Sequence, residues 1–119
     1  MNAHAVAESY LAAWNETDPA ARRTLVEQVW TAGGTYTDPL ADVAGHDALD
    51  ATIAAVQQQF PGFAFRLLGT PDGHHDQVRF SWELGPADGP APVAGSDVAV
   101  LAEDGRLRTV LGFLDRVPG

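Results

Sequence analysis

The first third of the chain repeats its apolar residues at helical spacing. Ala3, Ala7, Tyr10, Leu11 and Trp14 fall on one face, with Glu8 and Ser9 off it. Asn15 to Asp18 breaks the pattern. Asp18-Pro19 then reads as an N-cap followed by a first-turn proline, whose missing amide would be unpaired there in any case. A second helix follows, with Leu25, Val26, Val29 and Trp30 on one stripe and Gly33-Gly34 as its stop. Thr35 to Asp38 is short and β-prone, and Pro39 ends it. After a loop to Gly45, a third helix carries Leu49, Ile53, Val56 and Phe60 at helical period. Asp47 and Asp50 sit toward its positive end, and Pro61-Gly62 terminates it.

Beyond Gly62 the period falls to two. Phe63, Phe65 and Leu67 alternate with Ala64, Arg66 and Leu68, and Pro71-Asp72-Gly73 reads as a turn. Val78, Phe80, Trp82 and Leu84 form the next alternating run. Gly85 to Pro92 is a Gly/Pro-rich connection. Val93 to Ala102 and Arg106 to Asp115 are strands joined by a Glu103-Asp104-Gly105 hairpin turn. The order is ααβα followed by four strands. Segregated helices and a run of antiparallel strands define an α+β class.

Length and composition narrow the picture. At 119 residues, 45% of them apolar, the chain is expected to form one domain with a core of its own. It has no cysteine, which excludes disulfides, thiolate metal sites and a cysteine nucleophile. A formal charge of −9 repels phosphate backbones and anionic membranes, so neither nucleic acid nor membrane is expected as a partner. A neutral, mostly apolar small ligand suits it better. No apolar run has the length of a membrane span. Met1-Asn2-Ala3-His4 lacks the basic and apolar regions of a secretory leader, and a cytoplasmic location is the expectation.

The ordered fragments Tyr10-Leu11-Ala12-Ala13-Trp14-Asn15, Tyr36-Thr37-Asp38-Pro39, Gly45-His46-Asp47-Ala48-Leu49 and Gly95-Ser96-Asp97 resemble the NTF2-like superfamily. That superfamily includes ketosteroid isomerases, SnoaL-like polyketide cyclases and limonene epoxide hydrolases. The resemblance implies a cone in which three helices pack on a strongly curved, mostly antiparallel sheet over residues 1–119. It also implies a ligand pocket at the open end of the cone and a homodimer formed through the sheet.

Three residues carry the chemistry that this resemblance implies. Asp38 matches the carboxylate that moves a proton between carbons in the isomerases, a task that needs two protonation states close in energy. The residue-level alternative is an aspartate bracing an Asp-Pro turn. Asp97 lies among Val93, Ala94, Val98, Ala99, Val100 and Leu101, on the same side as Ala99 and Leu101. Burial there would raise its pKa and let it donate to an enolate oxygen. Ketosteroid isomerase is the standard example of that device, so the match is to a known pattern. In SnoaL-like cyclases an aspartate in this region is instead the acid/base for ring closure; a solvent-facing charge is the alternative. Tyr10 matches a hydroxyl donor to the substrate oxygen, or else is a core aromatic. Trp14, Tyr36, Phe60, Trp82 and Phe113 are expected to line the pocket.

Other features add less. His74-His75 point to opposite faces of a strand and have no third ligand at a metal-site spacing, so a solvated hairpin is expected and no metal. Arg66, Arg79 and Arg108 could complete the Asp-Arg-Asp water-activating set of the epoxide hydrolases, but their alternation favours surface ion pairs. No phosphate loop, nucleophile elbow or dinucleotide fingerprint is present, and no cofactor is expected. Two function classes stand. One is a cofactor-free isomerase or cyclase acting by carboxylate acid/base chemistry on an apolar carbonyl compound. The other is a non-catalytic ligand-binding or dimerisation module of the same shape.

Overall fold

The computed structural model describes residues 2–118. Met1, the first residue of the segment read for a leader, lies outside them. The order is α1 (Ala3–Asn15), α2 (Pro19–Val29), β1 (Trp30–Thr37), β2 (Asp42–Ala44), α3 (His46–Gln59), β3 (Ala64–His74), β4 (Gln77–Gly85), β5 (Val93–Leu101) and β6 (Leu107–Arg116). The six strands form one sheet in the order β2-β1-β6-β5-β4-β3. All pairings are antiparallel except β1 with β6. Among the described residues no helix is long and apolar enough to cross a membrane.

Helix starts follow the local chemistry. The Asn2 side chain accepts from the Ala5 amide at 3.0 Å, and the Asp18 side chain from the Ala21 amide at 2.9 Å, with Pro19 in the first turn. Helix α2 ends differently from the expectation. It stops at Val29, and Trp30 is already the first residue of β1, with its amide still donating to the Val26 carbonyl. Gly33-Gly34 is therefore not a helix stop but the interior of a strand. The register of β1 against β6 slips between Trp30 and Thr35, and a Cβ on Gly34 would lie 2.8 Å from Trp30 Cδ1. The glycine lets the bulged strand fold over the indole.

Two further differences concern strands. The segment after Pro39 contains the three-residue strand β2, paired along the edge of β1, and is not wholly loop. Strand β3 runs through Pro71-Asp72-Gly73 to His74, absorbing them in a register shift between Leu68 and Asp72. The hairpin turns one step later, at His75-Asp76, with His75 at a φ of +52°. Gly73 pairs with Val78, so local turn chemistry lost here to the continuing ladder.

The helices cover one face of the sheet. Helix α1 packs on β3 and β4, while α2 and α3 pack on β1. The core between them is rich in aromatics: Tyr10 lies 5.2 Å from Phe80 and 5.5 Å from Trp30 by ring centroid, and Trp14 lies 5.4 Å from Tyr36. These are favourable edge and tilted spacings. A buried polar tie sets the helices relative to each other. Arg22 donates to Asp50 Oδ1 at 2.8 Å and to Gln57 Oε1 at 3.1 Å. Gln57 in turn donates to the Trp14 and Glu16 carbonyls, closing the end of α1.

Candidate active site

The helix-covered face of the sheet encloses a cavity of about 220 Å³. Its buried walls are Tyr10, Leu11 and Trp14 from α1, Tyr36 from β1, and Trp82 and Leu84 from β4. Asp38, Phe60, Phe65, Val93 and Leu114 complete the sides. Of the residues expected in the pocket, Tyr10, Trp14, Tyr36, Asp38, Phe60 and Trp82 all reach its wall. A wider groove at the turn end, bordered by Asp76, Glu103 and Asp104, is open to solvent and holds none of them.

Phe113 does not reach the cavity. It pairs with Ser96, one position off the inward-facing pair Asp97–Gly112, and its side chain is 64% exposed on the outer face of the sheet. The strand period explains the correction. Inward residues of β6 are Val110, Gly112 and Leu114, and Phe113 has the opposite parity.

Asp38 combines both readings of its role. Its Oδ1 accepts from the Leu40 and Ala41 amides, each at 2.8 Å, which braces the turn. Its Oδ2 accepts from the Tyr36 hydroxyl at 2.6 Å. Residues 36 and 38 are two apart along an extended chain, so both face inward. Burial, and then donation to Asp38, hold the Tyr36 hydroxyl well above its usual pKa. Asp38 is the one carboxyl in the cavity wall among the described residues.

Asp97 is 2% exposed and stands directly behind that wall. Trp82 Nε1 donates to its Oδ2 at 3.1 Å, while its buried Oδ1 has no hydrogen-bond partner among the described residues. Gly95 makes the indole contact possible. It is paired with Trp82, and a Cβ there would lie 2.3 Å from Trp82 Cζ2. The Asp97 pKa is pushed up to about 7, chiefly by desolvation, against the opposing pull of Tyr10 and Trp82. Tyr10, a near polar neighbour of both Asp97 and Tyr36, is held neutral well above its usual pKa by burial and by the Asp97 charge.

Gly112 joins the two carboxyls. A Cβ on it would lie 2.7 Å from Asp97 Oδ1 and 3.3 Å from Asp38 Cβ. The sequence reading passed over this glycine, although a glycine inside an apolar strand is itself a sign of close approach. It also passed over the rim residues Leu40 and Val117, which lie outside the regular elements and follow no period.

The arginines and histidines lie elsewhere. Arg66 pairs with Glu83 at 3.1 Å, Arg79 with Asp72 at 3.4 Å and Arg108 with Asp76 at 3.7 Å. No arginine borders the cavity among the described residues, so an Asp-Arg-Asp set does not assemble there. His74 and His75 are exposed at the β3–β4 hairpin.

A six-strand, mostly antiparallel sheet covered on one face by three helices and enclosing an aromatic cavity defines the NTF2-like class. The SnoaL-like domain profile matches residues 7–110, and the chain belongs to that family. A solved Agrobacterium tumefaciens protein, provisionally described as an isomerase of the SnoaL-like family, is 47% identical to it. That match covers 97% of this chain and 99% of the other, with a TM-score of 0.91. A SnoaL-like protein of unknown function from Burkholderia thailandensis is 16% identical over 94% of this chain and 93% of its own, with a TM-score of 0.73. A Jannaschia protein, provisionally a SnoaL-like polyketide cyclase, is 18% identical over 92% and 85%, with a TM-score of 0.70. The last two share the fold. No curated protein matches the chain.

Proposed function

We propose that the cavity binds a small, largely apolar carbonyl compound and moves a proton between two of its carbons. The observation that carries this reading is a carboxylate, Asp38, beside two tyrosine hydroxyls, Tyr36 and Tyr10, in a wall that is otherwise apolar but for Gln59 at its exposed rim. In this reading the Asp38 carboxylate removes a proton from the carbon next to the carbonyl. The electron pair moves to the carbonyl oxygen, which accepts a hydrogen bond from Tyr10. In a β,γ-unsaturated substrate the resulting dienolate takes the same proton back from Asp38 at its γ-carbon, the carbon–carbon double bond shifts into conjugation and the carbonyl re-forms, so no external acid, base or redox partner is consumed. Asp97 acts through Tyr10, as a positioning group behind the donor that touches the ligand. Low dielectric around the hydroxyl strengthens its interaction with developing charge.

A binding-only role is favoured by a different observation: Asp38 already accepts three hydrogen bonds, and two of them fix a turn. One assay separates the two. Solvent deuterium exchange at the α-carbon of acetophenone's methyl group, followed by NMR, is expected to be accelerated by the wild-type protein. It is expected to fall by about 10²-fold or more in Asp38→Asn, the usual effect of losing a general base. Bound ketone with no acceleration by the wild type would leave a binding protein.

A further inference from the structure

The rim of the cavity is apolar and outward-facing. Leu40 is 81% exposed and Val117 57% exposed, yet both line the cavity, so they stand where it opens to solvent. Gln59 and Pro118 are the other exposed lining residues, and none of the four is charged. Besides the Gln59 amide at the rim, the polar groups are Tyr10, Tyr36 and Asp38. Tyr10 and Tyr36 are buried, so the cavity has hydroxyls at its inner end and an uncharged, mostly aliphatic mouth.

Volume sets the second constraint. The cavity measures about 220 Å³. An apolar cavity of roughly 150 Å³ takes one benzene ring. Sites for larger organic ligands run from roughly 300 Å³ upward. A single substituted ring fits inside, and a fused four-ring skeleton does not.

We propose that the ligand is a single-ring carbonyl compound with an apolar tail, its carbonyl accepting from Tyr10 and its tail leaving between Leu40 and Val117. This specifies the substrate class of the site and rests on the cavity being the ligand site. Two solvent-facing aliphatic side chains at a pocket mouth gain burial only when something apolar passes between them. A tail does so without needing volume inside. Leu40 is also held in place for this purpose, because its amide donates to Asp38 Oδ1. The rim and the polar end are thus parts of one turn.

The test is binding by calorimetry of acetophenone, butyrophenone, hexanophenone and octanophenone, with progesterone as the four-ring comparison. Wild-type affinity is expected to rise by about fourfold for each methylene that becomes buried at the rim. In the double variant Leu40→Ser/Val117→Ser the loss of affinity is expected to be larger for octanophenone than for acetophenone, flattening the series. Progesterone is expected to bind more weakly than hexanophenone. Affinity that falls with tail length, equal slopes in wild type and variant, or progesterone binding as tightly as hexanophenone would each overturn the proposal. The readout is affinity, so it separates from the proton-transfer reading. A steep series with no deuterium exchange retains this inference and removes that one. A flat series with exchange does the reverse.

Discussion

The Tyr36 hydroxyl donates to Asp38 Oδ2 at 2.6 Å, joining the last buried residue of β1 to the first residue beyond that strand. A backbone turn holds the other oxygen of the same carboxylate. Asp38 is thereby fixed in one orientation at the cavity wall. Tyr36→Phe removes the donor and keeps the ring. It is expected to destabilise the fold by about 1.5–3 kcal/mol, the scale of a hydrogen bond to a charged group. Urea denaturation measures this. An unchanged midpoint would mean that the hydroxyl finds water as readily in the folded protein as in the unfolded chain.

Asp97 gives a pH dependence whose sign follows from its burial. Its carboxyl titrates near 7 in the folded protein and near 3.8 when unfolded. Between those values the folded protein holds a proton that the unfolded chain has released. The contribution of Asp97 to stability is therefore greatest below about pH 4 and is lost as pH rises toward 7. Melting curves of wild type and Asp97→Asn from pH 4 to 8 are expected to show wild type losing ground to the variant across that window. The difference should be flat above it, and a difference that is flat throughout would contradict a buried, proton-holding Asp97.

Gly112 is predicted to tolerate no side chain. A methyl group there meets Asp97 Oδ1 at 2.7 Å and Asp38 Cβ at 3.3 Å, with the Thr37 carbonyl at 3.6 Å beyond. Gly112→Ala is expected to lower stability by about 1–3 kcal/mol through overpacking. Because it pushes on both carboxyls, it is also expected to lower deuterium exchange more than it weakens acetophenone binding. Loss of stability with exchange intact would show that the spacing of the carboxyls is not what the site depends on.

Pairing of two copies through the sheet is a proposal that the outer face makes testable. Leu111 and Phe113 stand exposed there, opposite Val98 and Ser96 on the neighbouring strand. An exposed apolar patch of this kind commonly marks an interface. Sedimentation is expected to give a dimer for wild type and a shift to monomer for Phe113→Glu. A wild-type protein that stays monomeric at tens of micromolar, roughly the range of a weak interface, would remove the proposal.

The parity of Phe113 also shows where sequence reading reached its limit. Alternation correctly placed Val78, Phe80, Trp82 and Leu84 on one face of β4, all of them buried. In β6 the pairing with β5 shifts between Ala94 and Gly95 and again between Val100 and Leu101. A single slip in register moves a side chain to the other face. An aromatic in an apolar run therefore read as pocket wall, and only the ladder shows that it faces out. The early part of β1 failed for a related reason. Gly33-Gly34 has the composition of a helix stop, and pairing with β2 and β6 overrode it.

Some of the protein is fixed by local chemistry. The helix cap at Asp18, the helical stripes, and the period-two strands after Gly62 depend on residues close in the chain, and all were legible. So was the apolar setting that raises the Asp97 pKa. The three residues singled out for chemistry are 28 to 87 positions apart in sequence, and no local pattern sets their distances. Tertiary packing put Asp38 and Tyr10 in the wall and Asp97 behind it, turned Phe113 outward, and left Leu40 and Val117 at the mouth. Those outcomes depend on sheet register and on how α1 crosses it. They are contacts between distant segments, which only the assembled fold specifies.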